Sequence, residues 1–497
     1  MPESHRKPVL YEINTAVWLN GLSTRFGRPV TLGDVPDEVL DALAVPGITM
    51  IWMMGIWERS EFSRHHALKY KHEYLGALPD MTDDDVIGSA YSIRAYEVAS
   101  AFGGREGLAI FRRKLQARGL KLMLDYVPNH VGPDHAWTDE PGFVIRGKTV
   151  DAAQRPSDFF LHRTKSGRRV VLAHGRDPFF PGWADTVQLN AFNPALRAEI
   201  IRTLLDIASQ CDGVRCDMAM LFLNDIFAAT WAGYIKQKPR KEFWAEVIPA
   251  VRALHPEFMF LAEVYWNKES DLLALGFDSV YDKVFYDRLV GGDVQGLRSH
   301  LIAPIRFQEH VMRFIENHDE PRAFSTFGPQ RSFPAATVLL TVPGGVLLHD
   351  GQFTSRRAKL PVQITRAPIE PVSTSLQEYY MRLLQETTDP VYQHGDFTLF
   401  GIAACSAHEA THNTLLAYGW HLKDDGYRLV VVNLGGQHAY GCVDLTPWVT
   451  IDGRSWRLFD VIDGAEYLRR GEDLSHEGLY VSLEAYESHV FRFELAD

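Results

Sequence analysis

A chain of 497 residues is too long for one ordinary hydrophobic core, so two or three domains are expected. Its 46% apolar and 23% charged residues are ordinary globular composition, which excludes a disordered or fibrous chain. A formal net charge of −12 without any basic block argues against nucleic acid or anionic lipid as a partner.

The four cysteines, Cys211, Cys216, Cys405 and Cys442, do not read as a disulfide framework. Cys211 and Cys216 have no second pair at zinc-ligand spacing, so a metal site of that kind is not expected either. The opening MPESHRKPVLYEIN lacks the apolar core of a signal peptide. The longest apolar runs, 48–57 and 335–348, are too short or are broken by Pro343 and two glycines, so no span crosses a bilayer. A soluble cytoplasmic protein is expected, its oligomeric state left open.

In chain order, strand-like runs at 9–19 and 48–57 come first, and a helix at 106–118 leads into a strand at 121–127. The stretch 193–209 opens on an Asn-Pro cap signal and carries Leu196, Ile200, Ile201, Leu204, Leu205 and Ala208 on one helical face. A strand at 213–218, a helix at 240–254 and strands at 258–264, 279–285, 311–316 and 345–348 follow. About eight β–α repeats over more than 300 residues imply a closed (β/α)8 TIM barrel, an α/β fold. Residues 132–186, rich in Gly, Pro, Arg and aromatics without helical periodicity, form a small inserted domain after the third strand. The barrel is then 1–131 with 187–388, closed by a helix at 376–386. From 389 to 497 the pattern becomes β only, at 397–403, 414–417, 427–434 and 480–493, which reads as a separate antiparallel β-sandwich.

Four strings carry the chemistry: DYVPNH (125–130), GVRCD (213–217), FLAEVYW (260–266) and FIENHDEPR (314–322). Each begins apolar and ends in carboxylate, histidine, arginine or asparagine. In a (β/α) barrel, polar residues at the C-terminal ends of strands face the shared mouth while the strand bodies fill the core. Delivering three carboxylates there is the arrangement that glycosidic cleavage needs. Arg215 lies two residues before Asp217, so both side chains point to the same side of the strand, and the guanidinium would hold Asp217 ionised.

These strings, in this order and spacing, resemble those of the α-amylase superfamily of retaining α-glycosidases and transglycosidases, and the resemblance covers nearly the whole chain. It implies that Asp217 is the nucleophile, Glu263 the general acid/base and Asp319 the third carboxylate, which binds and distorts the sugar. It implies that His130 and His318 bind sugar hydroxyls, that Asp125 supports Arg215 and the sugar site, and that Asn129 shapes a turn. GSAYSIRAY resembles the family's segment before the second barrel helix, which places Tyr91 under the sugar as a stacking platform. Ser92 stands where many relatives have an aspartate. Met220 and Leu221 replace a lysine and a histidine that contact the reducing-side sugars in many starch-acting relatives.

No cofactor is expected. No required metal is expected either, because the insertion lacks an aspartate cluster and no DxNxDG-like loop follows the first strand. His65, His66 and His72 show no ligand spacing and read as a solvated loop. Trp183 and HGRDPFF (174–180) either line the sugar site or anchor the insertion. The implied function is retaining hydrolysis of small α-glucosides or short oligosaccharides, the partner being a small carbohydrate. A transglycosidase or sugar isomerase of the same superfamily is the alternative. A non-catalytic carbohydrate-binding subunit should have lost a catalytic carboxylate, and a metal-dependent barrel hydrolase should show an HxH pair where YEIN stands.

Overall fold

The computed structural model describes residues 7–235, 237–405, 410–423 and 426–496. Residues 1–6, the first part of the opening that lacks a leader's apolar core, lie outside the described residues.

Eight parallel strands close into a barrel: β1 (Val9–Asn14), β2 (Met50–Met54), β3 (Lys121–Tyr126), β4 (Gly213–Cys216), β5 (Met259–Ala262), β6 (Ser279–Tyr281), β7 (Val311–Arg313) and β8 (Gly345–His349). Each pairs with its chain neighbours, and β8 closes on β1 through the register Val9↔Val346 to Glu12↔His349. The strands are buried nearly throughout, as parallel strands covered on both faces must be.

Several strands are shorter than the sequence pattern suggests, two of them because a helix cap intervenes. The run 9–19 stops at Asn14, whose side chain accepts from the Val17 amide and caps the helix Thr15–Phe26. The run 279–285 stops at Tyr281, because Asp282 accepts from the Phe285 amide and starts the helix Lys283–Gly291. In both cases a side-chain cap overrides β-like composition. Another helical stretch, Ala323–Thr341, is two helices broken at Gly328, which has φ 71° and is followed by Pro329.

The segment after β3 leaves and returns through a short antiparallel pair, His130–Val131 with Val187–Gln188. Between them lie the hairpin Phe159–Arg163/Arg169–Ala173 and a short helix, Thr149–Gln154, which composition alone conceals. The His-rich segment is not a loop: His65 and His66 ride on the helix Glu61–Lys69, and His72 lies in the turn Lys71–Tyr74. Ser60 caps that helix through the Ser63 amide. We propose 132–186 as the inserted domain and 389–497 as the C-terminal one, boundaries that fall where the pairing pattern changes.

After the barrel, a six-stranded antiparallel sheet runs in the order Asp396–Leu399, Leu415–Leu422, Gly426–Asn433, Ser488–Leu495, Ser455–Asp460, Glu466–Arg470. A three-stranded sheet (Ile402–Ala403, Ala439–Val443, Leu479–Leu483) accompanies it around a core that includes Phe400, Leu429, Trp448, Leu458 and Phe491. The expected strand 480–493 is thus two strands in different sheets, parted by a turn in which Tyr486 has φ 64°. In the small sheet the thiol sulfurs of Cys405 and Cys442 approach to 3.1 Å. Among the described residues no helix is long and apolar enough to cross a membrane.

This domain is docked on the barrel by polar ties that centre on buried groups. Trp420 Nε1 donates to the Thr341 carbonyl at 2.8 Å. Glu386, fully buried at the end of the helix Thr374–Glu386, takes Arg428 at 3.1 Å on one oxygen and Arg492 Nε at 2.8 Å on the other. Removing one partner of a buried pair strands the other charge. Glu386→Ala is expected to lower stability by about 3 kcal/mol in urea denaturation. A loss under about 1 kcal/mol, the worth of a surface pair, would show that this carboxylate does not hold the two units together.

Candidate active site

The centre of the barrel mouth is Arg215, at the end of β4, with no solvent exposure. Its Nη1 donates to Asp217 Oδ1 at 2.7 Å, and its Nη2 lies 2.9 Å from Glu263 Oε2 and 3.8 Å from Asp319 Oδ2. The contact to Glu263 is one of charge proximity rather than of an aligned hydrogen bond. The guanidinium also sits over the rings of Trp52, Tyr91 and Tyr281 at 5.5, 5.5 and 5.6 Å, where their negative faces favour a cation. Three strand ends, β4, β5 and β7, therefore deliver their carboxylates onto one cation.

Glu263 follows β5 and is buried. Burial pushes its carboxyl up, helped by the negative charges of Asp217 and Asp319 and opposed by Arg215, to about 7. Its Oε2 accepts from the Met218 amide at 2.6 Å and its Oε1 from the Tyr265 hydroxyl at 2.9 Å. Met218, the residue after Asp217, holds a left-handed backbone, φ 42°. That conformation is costly for a side chain with a Cβ and turns the amide toward Glu263.

Asp319 lies beyond the end of β7, with 48% of its side chain exposed. Burial around its carboxyl works against ionisation, but the His318 charge and hydrogen bond, with Arg215 and Lys359, outweigh this and hold it well below the usual carboxylate range. His318 lies between two carboxylates: Nδ1 meets Glu12 Oε1, and Nε2 is 2.9 Å from Asp319 Oδ2. Burial would neutralise it, yet Asp319 and Glu12 raise its pKa well above the ordinary imidazole value. Both ring nitrogens then donate. The half-buried Tyr91 stacks on the His318 ring at 5.3 Å and brings its hydroxyl to 2.8 Å from Nε2.

The structure brings together Tyr91, Asp125, His130, Arg215, Asp217, Glu263, His318 and Asp319, and of these Asp125 sits differently from expectation. Asp125 is the partner of Arg215 in the strand register and feels its charge, yet its carboxylate turns to other donors. It accepts from Trp52 Nε1 at 3.1 Å and from the Gly55 amide at 2.6 Å, and burial pushes it up to about 6. The buried His130 is held neutral by burial and packs on Trp183 at 5.0 Å. Asn129 accepts from Gln188 Nε2 at 2.9 Å and ties the base of the insertion, as a turn-shaping residue would. Ser92 donates to the Asp185 carbonyl at 2.7 Å. Met220 and Leu221 are buried in the turn Ala219–Phe222. Among the described residues no cluster of His, Cys, Asp and Glu could hold a metal ion.

Sequence reasoning missed Glu12, fully buried near the end of β1, and Tyr265. Glu12 left one signal, a lone carboxylate within the apolar run VLYEIN. Tyr265 left none beyond its place two residues after Glu263. In FIENHDEPR, Glu316 turns elsewhere: it pairs with Arg322 at 2.9 Å and accepts from the Ala323 amide at 2.6 Å, starting the next helix.

An eight-stranded barrel whose mouth gathers three carboxylates on a buried arginine defines a carboxylate-dependent barrel enzyme architecture. The profile of the family described as "Alpha amylase, catalytic domain" matches residues 37–276, which include Asp217 and Glu263 but stop before Asp319. The α-amylase MalA of Haloarcula japonica is 26% identical over 318 residues, 61% of this chain and 43% of that protein. The oligo-1,6-glucosidase of Halalkalibacterium halodurans is 23% identical over 385 residues, 65% of this chain and 61% of its own. The solved structure of an α-amylase from Geobacillus thermoleovorans complexed with acarbose superposes with a TM-score of 0.68 at 17% identity, covering 99% of each chain. By the family match, the barrel and the strand-end motifs, residues 37–276 belong to the α-amylase catalytic-domain family. The chain spans less than half the length of MalA.

The clamp on His318 makes a test of the site's electrostatics. Glu12→Gln removes one of the two charges that keep the imidazole protonated, so the pH at which His318 loses its proton should fall, read from imidazole nitrogen shifts by NMR. An unchanged titration would mean that Asp319 alone fixes the imidazolium.

Proposed function

We propose that this protein is a retaining α-glycoside hydrolase that acts on small α-glucosides or short oligosaccharides. The observation that carries the reading is one buried guanidinium shared by Asp217 and Glu263, with Glu263 able to hold a proton near neutral pH. Two carboxylates on one guanidinium are close neighbours, as a retaining pair about 5–5.5 Å apart must be. Asp217 attacks the anomeric carbon while Glu263 gives its proton to the departing glycosidic oxygen. The carbon–oxygen bond breaks, and a glycosyl ester on Asp217 forms. Glu263, now a base, takes a proton from water, which attacks the anomeric carbon and returns Asp217 to its carboxylate. Asp319 and His318 bind hydroxyls of the sugar held at Asp217, and His130 and Tyr91 complete its walls. Asp125 keeps the loop after β2, with Trp52 and Gly55, beneath them. We place the enzyme in the cytoplasm, where the buried thiols of Cys211 and Cys216 stay reduced.

Passing the glycosyl group to a sugar acceptor instead of water uses the same residues, so product analysis with and without added acceptor separates transfer from hydrolysis. A binding subunit without catalysis is disfavoured because all three carboxylates converge in the mouth. The small-substrate reading rests on Met220 and Leu221. They are buried and apolar, so the turn after Asp217 offers an extended glucan no polar side chain.

Asp217→Asn should lose several orders of magnitude in turnover while leaving the fold and thermal unfolding nearly intact. A tenth of wild-type activity remaining would remove Asp217 from the nucleophile's role. Glu263→Gln should suffer most on substrates with poor leaving groups and be rescued by azide on activated aryl glucosides. Because Glu263 must be protonated to donate, kcat/KM should fall as pH rises through about 7, and this limb should vanish in Glu263→Gln. A limb that persists in that variant belongs to another group. On substrate choice, kcat/KM should favour disaccharides over soluble starch, and internal cleavage of the polymer as the preferred reaction would contradict the small-substrate reading.

A further inference from the structure

The thiols of this chain fall into two sorts. Cys211 and Cys216 are buried in the barrel, and Cys211 shares its S–H between the Ile207 and Gly213 carbonyls. Burial pushes both thiols up, so neither offers a thiolate or an open approach. Cys405 is exposed and Cys442 half-buried, and their sulfurs lie 3.1 Å apart. The hydrolase reading makes no use of this second pair.

Strand pairing brings the two sulfurs together. Ile402 and Ala403 pair with Val443 and Cys442 in antiparallel register. Side chains alternate along a strand, so Ile402 and Val443 face the core while Ala403 and Cys442 face outward. Two residues after Ala403 the chain bends at Cys405, whose thiol reaches the Cys442 sulfur. Gly441 permits this approach: a Cβ there would lie 2.7 Å from Ile402 Cγ2 and 3.1 Å from the Ala403 carbonyl oxygen. Both sides are anchored. The Asp444 amide donates to the Gly401 carbonyl at 2.9 Å, and Arg298 Nη2 donates to the Phe400 carbonyl at 2.8 Å. Cys442 is paired with Tyr480 on its other side.

We propose that Cys405 and Cys442 form a modification site: a thiol pair that hydrogen peroxide converts reversibly into a disulfide, stapling the small sheet of the C-terminal domain. Desolvation and the Cys442 sulfur beside it push the Cys405 thiol up to about 11, so Cys405 keeps its proton and the Cys442 sulfur attacks first. The Cys442 thiolate takes one oxygen of the peroxide, the O–O bond breaks, and the hydroxide released picks up the thiol's proton as water. Cys442 is then a sulfenic acid. The Cys405 sulfur attacks that sulfur, the S–O bond breaks, and the departing hydroxide leaves with the Cys405 proton as a second water. The two sulfurs give up two electrons and the peroxide gains them. The new bond closes a ring from 405 to 442 that contains Trp420 and Arg428, residues that dock this domain on the barrel. Cross-linking removes freedom from the unfolded chain, so it stabilises the segment that carries those ties. In a reducing compartment such a bond is transient and forms in response to oxidant.

The test uses the full chain, fully reduced and then exposed to a small molar excess of hydrogen peroxide. Free thiols counted in denaturant should fall from four to two, and dithiothreitol should restore all four. Peptide mapping by mass spectrometry should find one link, between Cys405 and Cys442. The oxidised protein should melt about 3 °C above the reduced one. Cys405→Ser should show neither the link nor the rise, and its Cys442 should take up dimedone, which captures sulfenic acid. Four surviving thiols, sulfinic acid without a link, a link between two molecules, or a link that leaves Tm unchanged overturns the proposal. An unlabelled Cys442 in Cys405→Ser overturns the order of attack.

Discussion

A guanidinium with no solvent exposure is the constraint around which this barrel is built. Taking a charge out of water is tolerated only with partners that replace its hydration. Arg215 meets the requirement with three carboxylates and three aromatic faces, drawn from β2, β4, β5, β6, β7 and the loop after β2. The arginine gathers the chemistry, because each strand end must deliver its carboxylate to the same point. Arg313 is equally buried, but its guanidinium is shared among Asp282, Gln308 and the Pro343 carbonyl, groups that join strands to their connections. Burial alone does not make a site; the partners do.

One consequence is that the carboxylates around Arg215 do not behave alike. Glu263 is enclosed and faces two further negative groups, so burial raises it despite the arginine. Asp319 has a second cation in His318 and is held ionised. The imidazolium is secured in turn by Glu12 from β1, whose register places Glu12 beside Trp52 and His349. A chain of alternating charges thus runs from β1 through His318 and Asp319 to Arg215, crossing the barrel mouth. Removing any link changes the protonation of the next, which is why acid and ionised carboxylates coexist within a few ångströms.

Much of this was legible in the chain. The barrel followed from alternating strand and helix patterns, and the mouth from polar residues at strand ends. What failed to show has specific causes. Asn14 and Asp282 ended strands early because a cap is one residue of signal against a long β-like run. The outer strands Ala439–Val443, Ser455–Asp460 and Glu466–Arg470 were passed over for a different reason. They alternate burial on half-exposed sheets and carry arginine, glutamate and cysteine in strand positions. Glu12 was passed over because its partner is 306 residues away, and no local spacing marks such a pair. The amide of Met218 leaves no trace in composition at all, since its contribution is a backbone conformation.

That conformation explains the shape of the mouth as well as its charge. The left-handed turn at Met218 ends β4 abruptly, directs one amide to the Glu263 carboxylate and the next, Ala219, to the Glu263 carbonyl at 3.0 Å. The chain then coils inward, so Met220 and Leu221 go into the core rather than toward a sugar. A glycine at 218 would relieve the strain but would leave the amide free to turn away. The strained residue therefore couples two properties: a carboxyl held beside its arginine, and a turn whose apolar side chains are buried in the core.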